Sequence, residues 1–381
     1  MEKIAIDLRY AENINSGLTR FSKNIFLNLI KEKSLKNHRF LIILPPKKSA
    51  KHLTEFTNLK NNNLVFYNWA TRRNWRWKLG LYYIDIPLYF LLMKQRVHVY
   101  ITPFMDCPIL PNIKIISTIH DLTFLKVKGF FKNFDFLKKI FGELRIISTI
   151  LLSNYIITVS ESTKEELKKR FKYFPNFQYK KILDILIVNN GITDFKIEKG
   201  DFDFLSKDLP NYFFLYVGDR RPHKNLEYLI DITKSLRNKL SKNINLIIAG
   251  SNSYKNESLQ KIINANRDFI IEYINPRDKE LYSLYKNCKC FFLLSKSEGF
   301  GIPVIEAGVE KCKIVINSIP ALKEIAPKNS LIINCESIYE DSIKIIDYLG
   351  NANRPDPKTI INRFRWQKSA KILSEFLLKI C

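Results

Sequence analysis

The sequence predicts an α/β protein built from two doubly wound parallel sheets. Three observations carry this. Short, wholly apolar runs alternate with longer amphipathic ones; the alternation stops in a polar, charge-mixed stretch at residues 193–208 and then restarts; and 381 residues are enough for two or three domains at ~100–200 residues each. Strands apolar on both faces belong to parallel sheets covered on both sides.

In the first half, buried strands are expected at residues 4–6, 40–44, 64–67, 97–101, 115–119, 156–159 and 185–188. Amphipathic helices are expected between them, as at 19–31 and 162–171. The second of these helices opens on Ser160-Glu161-Ser162-Thr163, with hydroxyl caps and early carboxylates. Asn189-Asn190-Gly191 is a turn signal. In the second half, strands are expected at 212–217, 244–249, 269–273, 290–294 and 314–316, and helices at 226–240, 279–286 and 303–310. The domains are therefore expected at 1–195 and 196–363, with residues 193–208 as linker. Such sheets bind ligands at the carboxyl ends of their strands. Neither half carries G-x-G-x-x-G, so ordinary dinucleotide binding is not indicated.

Composition narrows the partners. A hydrophobic content of 46% excludes a disordered basic tail, and 12 Gly with 15 Pro exclude a low-complexity chain. The net charge is +25, of which residues 1–200 carry +18 and residues 201–381 carry +7. An excess of this size calls for an anionic partner: nucleic acid, anionic membrane or phosphorylated substrate. The six cysteines include no C-x-x-C pair and no zinc spacing, and they read as free thiols in a reducing cytoplasm. The N-terminus reads as a strand, not as a targeting segment. No run reaches the ~18–20 apolar residues of a spanning helix. The nearest, residues 79–93, is broken by Asp85 and Pro87 and reads as a buried helix or an interfacial element.

Four strand-to-helix junctions carry the chemistry. Ser297-Glu298-Gly299-Phe300-Gly301-Ile302-Pro303 runs from a strand into a helix that holds Glu306 one turn in. Gly299 and Gly301 permit close backbone approach, and the helix start suits a diphosphate. Two carboxylates at this spacing suit hydroxyls on two parts of one ligand; the alternative is a glycine-rich turn with two surface glutamates. Gly218-Asp219-Arg220-Arg221-Pro222-His223-Lys224-Asn225 places three cations in one loop, suited to phosphate oxygens or else simply solvated. His120, followed by Asp121, ends a buried strand and faces a binding crevice, unless it is a satisfied structural histidine. Gly17 lies between the first strand and the first helix, where phosphate or sugar meets a helix start.

These segments resemble the retaining glycosyltransferases of family 4, which have the GT-B fold, and the similarity runs nearly end to end. The family's Glu-x7-Glu motif, E-G-F-G-x-P-x-x-E, is matched by Glu298 through Glu306. Its G-x-x-x-P-x-K-N loop is matched by Gly218 through Asn225, its H-D-L step by His120 to Leu122, and its S-E-x-(S/T) turn by Ser160 to Thr163. Asn190-Gly191 matches its hinge, and Phe364-Arg365-Trp366 resembles the start of a closing helix, 364–381, that returns to the first domain. Ile6-Asp7-Leu8-Arg9 with Gly17 to Phe21 resembles the D-x-R…G-x-x-R-(Y/F) opening of the mannosyltransferase-like branch.

The resemblance implies roles. Glu298 binds hydroxyls of the transferred sugar and Glu306 the ribose. Arg220 and Lys224 neutralise the leaving diphosphate, with Arg221 able to exchange with Arg220. Backbone N–H groups of Gly299, Phe300 and Gly301 reach the diphosphate or sugar, and His120 contacts the sugar near the reacting carbon. The donor is a nucleotide-diphosphate sugar, GDP-mannose by branch, with UDP- or dTDP-sugars as alternatives. No cofactor and no metal are implied, because the loop supplies the positive charge. The sequence departs from the family in a single N-terminal Gly, in His223 where many relatives have Arg, and in Glu310-Lys311-Cys312-Lys313 where a small residue and Gly usually follow the motif helix.

The basic first half suggests where an acceptor docks. Arg72, Arg73, Trp75, Arg76 and Trp77, and then Lys126, Lys128, Phe130 and Phe131, interleave cations with aromatic rings. This suits anionic lipid headgroups. A lipid-linked or surface-polysaccharide acceptor fits, with the protein peripheral on the inner face of the cytoplasmic membrane. The same interleaving serves single-stranded nucleic acid, but no nucleic-acid-binding signature appears and the Glu-x7-Glu segment would then have no purpose. A nucleotide-sugar epimerase of the same fold is a further alternative; it would form product without an acceptor.

Overall fold

The computed structural model describes residues 2–12, 17–46, 53–59, 63–68, 85–105, 107–127, 135–175, 181–192, 209–254 and 256–381, with side chains of 135–138 excluded. Two compact units are present. One comprises residues up to Leu125, Asn133–Gly191 and Arg365–Cys381; the other comprises Ile192–Phe364 with Lys126–Lys132.

Among the described residues the first unit has seven parallel strands: β1 (Lys3–Asp7), β2 (Arg39–Leu44), β3 (Leu64–Asn68), β4 (Val99–Thr102), β5 (Lys114–Ile119), β6 (Tyr155–Thr158) and β7 (Leu186–Ile187). They are ordered β3-β2-β1-β4-β5-β6-β7. Its helices are α1 (Gly17–Ile30), the short α2 (Thr54–Thr57), α3 (Ile86–Lys94), the short α4 (Thr123–Lys126), α5 (Asp135–Leu152) and α6 (Glu161–Arg170). The strands are wholly or largely apolar, and β1, β2, β4 and β5 are buried almost throughout. Burial on both faces is what a parallel sheet requires.

Among the described residues the second unit has six parallel strands: β8 (Phe213–Val217), β9 (Asn245–Gly250), β10 (Ile270–Ile274), β11 (Cys290–Leu293), β12 (Ile314–Asn317) and β13 (Leu331–Ile333). Their order is β10-β9-β8-β11-β12-β13. Its helices are α7 (Leu226–Leu240), α8 (Glu257–Asn264), α9 (Asp278–Asn287), α10 (Ile302–Val309), α11 (Pro320–Ile325), α12 (Ile338–Asn351) and α13 (Pro357–Arg363). Strand order reverses between β1 and β4 in one sheet and between β8 and β11 in the other. Each reversal opens a crevice at the carboxyl ends of two adjacent strands.

The last helix, α14 (Trp366–Ile380), packs on α1. Gly191 makes room for it: a Cβ there would lie 2.5 Å from the Trp366 nitrogen and 2.6 Å from its indole ring. The Phe21 ring lies 6.1 Å from that of Trp366, and Ser369 Oγ donates to the Asn189 carbonyl at 2.8 Å.

The twofold α/β architecture expected from the sequence is the one observed, and every expected strand is present within about two residues at each end. β13 was not expected, because three residues give no periodicity. Of the apolar stretch 79–93, residues 79–84 lie outside the described residues, and the rest forms most of α3, which starts at Ile86. Asp85 caps it by accepting from the Leu88 nitrogen at 3.2 Å, and Pro87 sits in its first turn. The expected linker, 193–208, lies outside the described residues.

The departure after the motif helix has a structural cost. Helix α10 ends in a Schellman pattern: Lys311 N–H donates to Gly308 O at 3.1 Å and Cys312 N–H to Ala307 O at 2.9 Å. This puts Lys311 in the left-handed region, at φ 59°. A side chain there costs about 1 kcal/mol or more relative to glycine. Lys311→Gly should therefore raise unfolding stability by about 1 kcal/mol, seen as a higher urea midpoint at unchanged slope.

Candidate functional site

In the second unit the two loops at the crevice are the loop after β8, which carries the cations, and the loop after β11, which carries Glu298. β8 and β11 are adjacent, with Cys290 opposite Phe214 and Phe291 opposite Leu215. Residues 74 apart in sequence therefore meet: Lys224 Nζ lies 2.7 Å from Glu298 Oε1. Both side chains are largely buried, 15% and 12% exposed. Ser295 Oγ donates to the same carboxylate oxygen at 2.7 Å. Partial burial strengthens this charge pair relative to a surface pair.

A backbone bond ties the two loops together, and Asn317 at the end of β12 braces the second. The Lys296 N–H donates to the His223 carbonyl at 2.7 Å, and Asn317 Nδ2 to the Ser295 carbonyl at 3.0 Å. Tyr216, buried in β8, donates its hydroxyl to the Asp219 carbonyl at 2.6 Å. Burial, and then the negative charges of Asp219 and Glu298, push its pKa well up, so this hydroxyl keeps its proton. Pro222–Lys224 form a 3-10 turn, and Asn225 follows in the left-handed region at φ 57°, which asparagine tolerates.

Glu306 lies in α10, 1% exposed, with Tyr285 Oη donating to Oε2 at 3.0 Å. Gly301 precedes that helix at φ 107°, and a Cβ there would lie 2.7 Å from Leu322. Gly299 lies in the same loop. The Phe300 side chain is core, its ring edge-on to Phe364 at 5.6 Å. Arg221 is about half exposed, with Nη1 3.4 Å from Asp219 Oδ2.

Arg220 departs from its expected place. It was expected as a diphosphate ligand, yet it is 2% exposed and Nη2 lies 2.9 Å from Glu272 Oε1 on β10. The loop turns its first cation down into the sheet end.

In the first unit His120 follows β5. Its Nε2 lies 2.9 Å from the Pro103 carbonyl, and Phe21 meets its ring edge-on at 4.9 Å. A carbonyl only accepts, so Nε2 carries the proton and the neutral ring presents Nδ1 as an acceptor. Burial lowers the His120 pKa below 6.5, against the opposing effects of the Pro103 carbonyl and Asp121. Asp121 Oδ1 accepts from the Thr123 N–H at 2.8 Å, which opens α4. The Ser160–Thr163 turn supports the same corner: Ser160 Oγ accepts from the Thr163 N–H at 3.1 Å, and Thr163 Oγ1 donates to the His120 carbonyl at 3.3 Å.

Gly17 opens α1 and is exposed, and a Cβ there would meet no heavy atom within 4 Å. Lys126 is exposed at the end of α4. Arg72, Arg73, Trp75, Arg76, Trp77, Lys128, Phe130 and Phe131 lie outside the described residues. Among the described residues no three His, Cys, Asp or Glu side chains gather to hold a metal ion.

Sequence reasoning missed several partners. Ser295 and Tyr285 orient the two motif glutamates; Ser295 stands three residues before Glu298, which is a readable signal, whereas nothing marks Tyr285. Asp7, read only as part of D-x-R, is fully buried and meets Arg9 Nη2 at 2.8 Å. Arg9 Nη1 bonds Asp85 at 2.7 Å, and Tyr100 donates a short hydrogen bond to Asp7. Burial opposes the charge of Arg9, but Asp7, followed by Tyr100 and Tyr10, outweighs it and raises the Arg9 pKa well above its usual value, so Arg9 stays charged.

Two parallel Rossmann-like sheets, each with ligand-facing loops at its topological switch, define the GT-B class of fold. The sucrose-phosphate synthase of Thermosynechococcus elongatus superposes with a TM-score of 0.70, at 12% identity over 100% of this chain and 99% of that one. Residues 199–365 match the model of the glycosyl transferases group 1. The O-antigen chain mannosyltransferase RfbU of Salmonella typhimurium is 26% identical over 249 residues, 64% of each chain. The serotype-specific mannosyltransferase WbdA of Escherichia coli is 28% identical over 165 residues, 42% of this chain and 20% of WbdA. The chain thus spans less than two thirds of either curated relative. Residues 199–365 are thus similar to the group 1 glycosyltransferases, and the fold is of the GT-B type.

Because the folded state resists protonating His120, the unfolded chain binds that proton more readily. Stability should be complete above about pH 6.5 and fall as pH drops through that value toward the lower folded pKa. His120→Gln, which keeps a donor for Pro103, should flatten this part of the curve. Urea unfolding of both proteins at pH 7.5 and pH 5 measures the difference.

Proposed function

We propose that the chain is a retaining glycosyltransferase that moves mannose from GDP-mannose to a lipid-linked or surface-polysaccharide acceptor. The observation that carries this reading is the Lys224–Glu298 pair at the switch of the second sheet, with Glu306 buried one turn into the next helix. A leaving nucleoside diphosphate develops negative charge, and a positioned ammonium with a helix start stabilises it. Glu298 positions Lys224 at the crevice. With donor, Lys224 turns to phosphate oxygens and Glu298 accepts from sugar hydroxyls, while Arg221 adds charge from the loop's exposed side. Backbone N–H groups at Gly299, Phe300 and Gly301 serve the diphosphate or sugar, and Glu306 serves the ribose.

His120 keeps the role that the resemblance implies, as a neutral hydrogen-bonding partner of the transferred sugar, and Gly17 leaves open space at the start of α1. The positive charge comes from side chains and helix, so no metal and no cofactor take part. Mannose rests on the branch-like opening and on the names of RfbU and WbdA as mannosyltransferases; GDP rests on the branch-like opening alone. A UDP- or dTDP-sugar is the second reading for the donor. Nucleic acid has no place in this reading.

The proposed location is the inner face of the cytoplasmic membrane, held peripherally. No helix among the described residues is long and apolar enough to cross a bilayer. Support for surface docking comes from apolar side chains turned outward on the first unit: Ile86, Phe90 and Met93 on α3, and Ile140, Phe141 and Leu144 on α5. Lys94 and Arg96 are exposed at the end of α3. Such a face suits the headgroup boundary of an anionic bilayer.

Two measurements test the reading. GDP-mannose at about 100 times its Kd should stabilise the protein by about 2.7 kcal/mol, and UDP- and dTDP-sugars should stabilise it less. Lys224→Ala and Glu298→Ala should each lower transfer by roughly 10²–10³-fold with the fold intact. Equal stabilisation by all donors refutes the base assignment, and near-normal transfer by either variant refutes the site. Phe90→Ser with Phe141→Ser should reduce flotation with phosphatidylserine-rich vesicles; unchanged flotation refutes docking by α3 and α5.

A further inference from the structure

Arg220 is the first cation of the loop after β8, and its surroundings are unlike those of Arg221 and Lys224. All three of its guanidinium nitrogens are shut off from solvent, and none has an aligned hydrogen bond. Among the described residues its ion-pair partner is Glu272, with Oε1 at 2.9 Å, and Glu272 is itself only 8% exposed. Glu272 lies on β10, and β9 separates β10 from β8 in the sheet. The Arg220 side chain therefore reaches past one strand to the edge of the sheet. The other Glu272 oxygen is held from outside by Arg267 Nη2 at 2.5 Å, and Arg267 is about half exposed. One residue earlier, the Asp219 carbonyl accepts from the buried Tyr216 hydroxyl. Two anchors thus grip the stem of the loop, at 219 and at 220. The 3-10 turn then starts at Pro222 and delivers Lys224 to Glu298.

We infer that Arg220 is a positioning residue: its buried pairing with Glu272 fixes the stem of the loop so that Lys224 and Arg221 are presented to a nucleoside diphosphate, which its own guanidinium does not touch. This rests on the donor site proposed above. A buried arginine whose acid is removed is left uncompensated, whereas a buried ion pair replaced as a whole by apolar side chains of similar volume is tolerated. A direct phosphate ligand behaves in the opposite way: neutralising its acid frees it, and removing it is not repaired by a second substitution elsewhere.

The test is calorimetric titration of the full chain with GDP and with guanosine. Wild type, Glu272→Gln, Arg220→Met, the double variant Arg220→Met/Glu272→Met, and Lys224→Ala are compared. Glu272→Gln should weaken GDP binding about fivefold or more and leave guanosine binding within about twofold, although residue 272 touches no ligand. The double variant should bind GDP within about threefold of wild type, while Arg220→Met alone binds far more weakly. GDP binding that is unchanged or tighter in Glu272→Gln overturns the inference. So does a folded double variant as weak as Arg220→Met. Lys224→Ala separates the two readings. If it leaves the preference for GDP over guanosine intact, the donor site itself is misplaced. If it removes that preference while the residue 220 and 272 variants behave as a direct ligand would, only the positioning role fails.

Discussion

The second unit is organised around one contact, the ammonium of Lys224 on the carboxylate of Glu298. Neither group has reason to be so far out of water except in each other's company. The contact exists because β11 enters the sheet beside β8, so that the loops leaving both strands meet at one crevice. The remaining features of the site follow from it. Ser295 shares the same carboxylate oxygen, the His223 carbonyl and the Lys296 N–H tie the loops, and the left-handed Gly301 turns the chain sharply into the helix that carries Glu306. An ammonium and a carboxylate held together at one crevice offer a partner for phosphates and a partner for hydroxyls, the two needs of the proposed nucleotide-sugar donor.

Each sheet also has a buried arginine just past its first strand. Arg9 follows β1 and bonds Asp7 and Asp85; Arg220 follows β8 and meets Glu272. In the first unit this network pins the start of α3, because Asp85 both accepts from Arg9 and caps that helix. In the second it pins the stem of the cation loop. Buried ion pairs are poor sources of net stability, since desolvation offsets their attraction, but breaking one is costly. They are well suited to fixing where a loop starts, which a purely apolar contact does less specifically.

Much of the fold was legible because parallel strands buried on both faces leave wholly apolar runs, as at Ile4-Ala5-Ile6 and Ile247-Ile248-Ala249, that few other structures require. The motif loops were legible because Gly299, Gly301, Pro303 and Lys224 have narrow physical reasons for their positions. Pairing across the chain was not. Nothing in the local pattern around Arg220 tells that its partner is Glu272, since that depends on β10 taking the edge beside β9. A lone acid inside an apolar strand, as at Glu272 or Asp7, is the trace such a partner leaves in sequence. The same holds for Asp85, which reads as an interruption of an apolar stretch and is in fact both a helix cap and the partner of Arg9. Three-residue β13 was too short to show a period, and the left-handed strain at Lys311 became visible only once the end of α10 was placed.

The claim that the Lys224–Glu298 pair marks a donor site is tested most directly by a crystal structure of the chain with GDP. The account predicts that Lys224 Nζ leaves its position 2.7 Å from Glu298 Oε1 and lies within hydrogen-bond distance of a phosphate oxygen, with the ribose on Glu306 and Arg220 still paired with Glu272. A diphosphate bound elsewhere with the Lys224–Glu298 contact intact would contradict it.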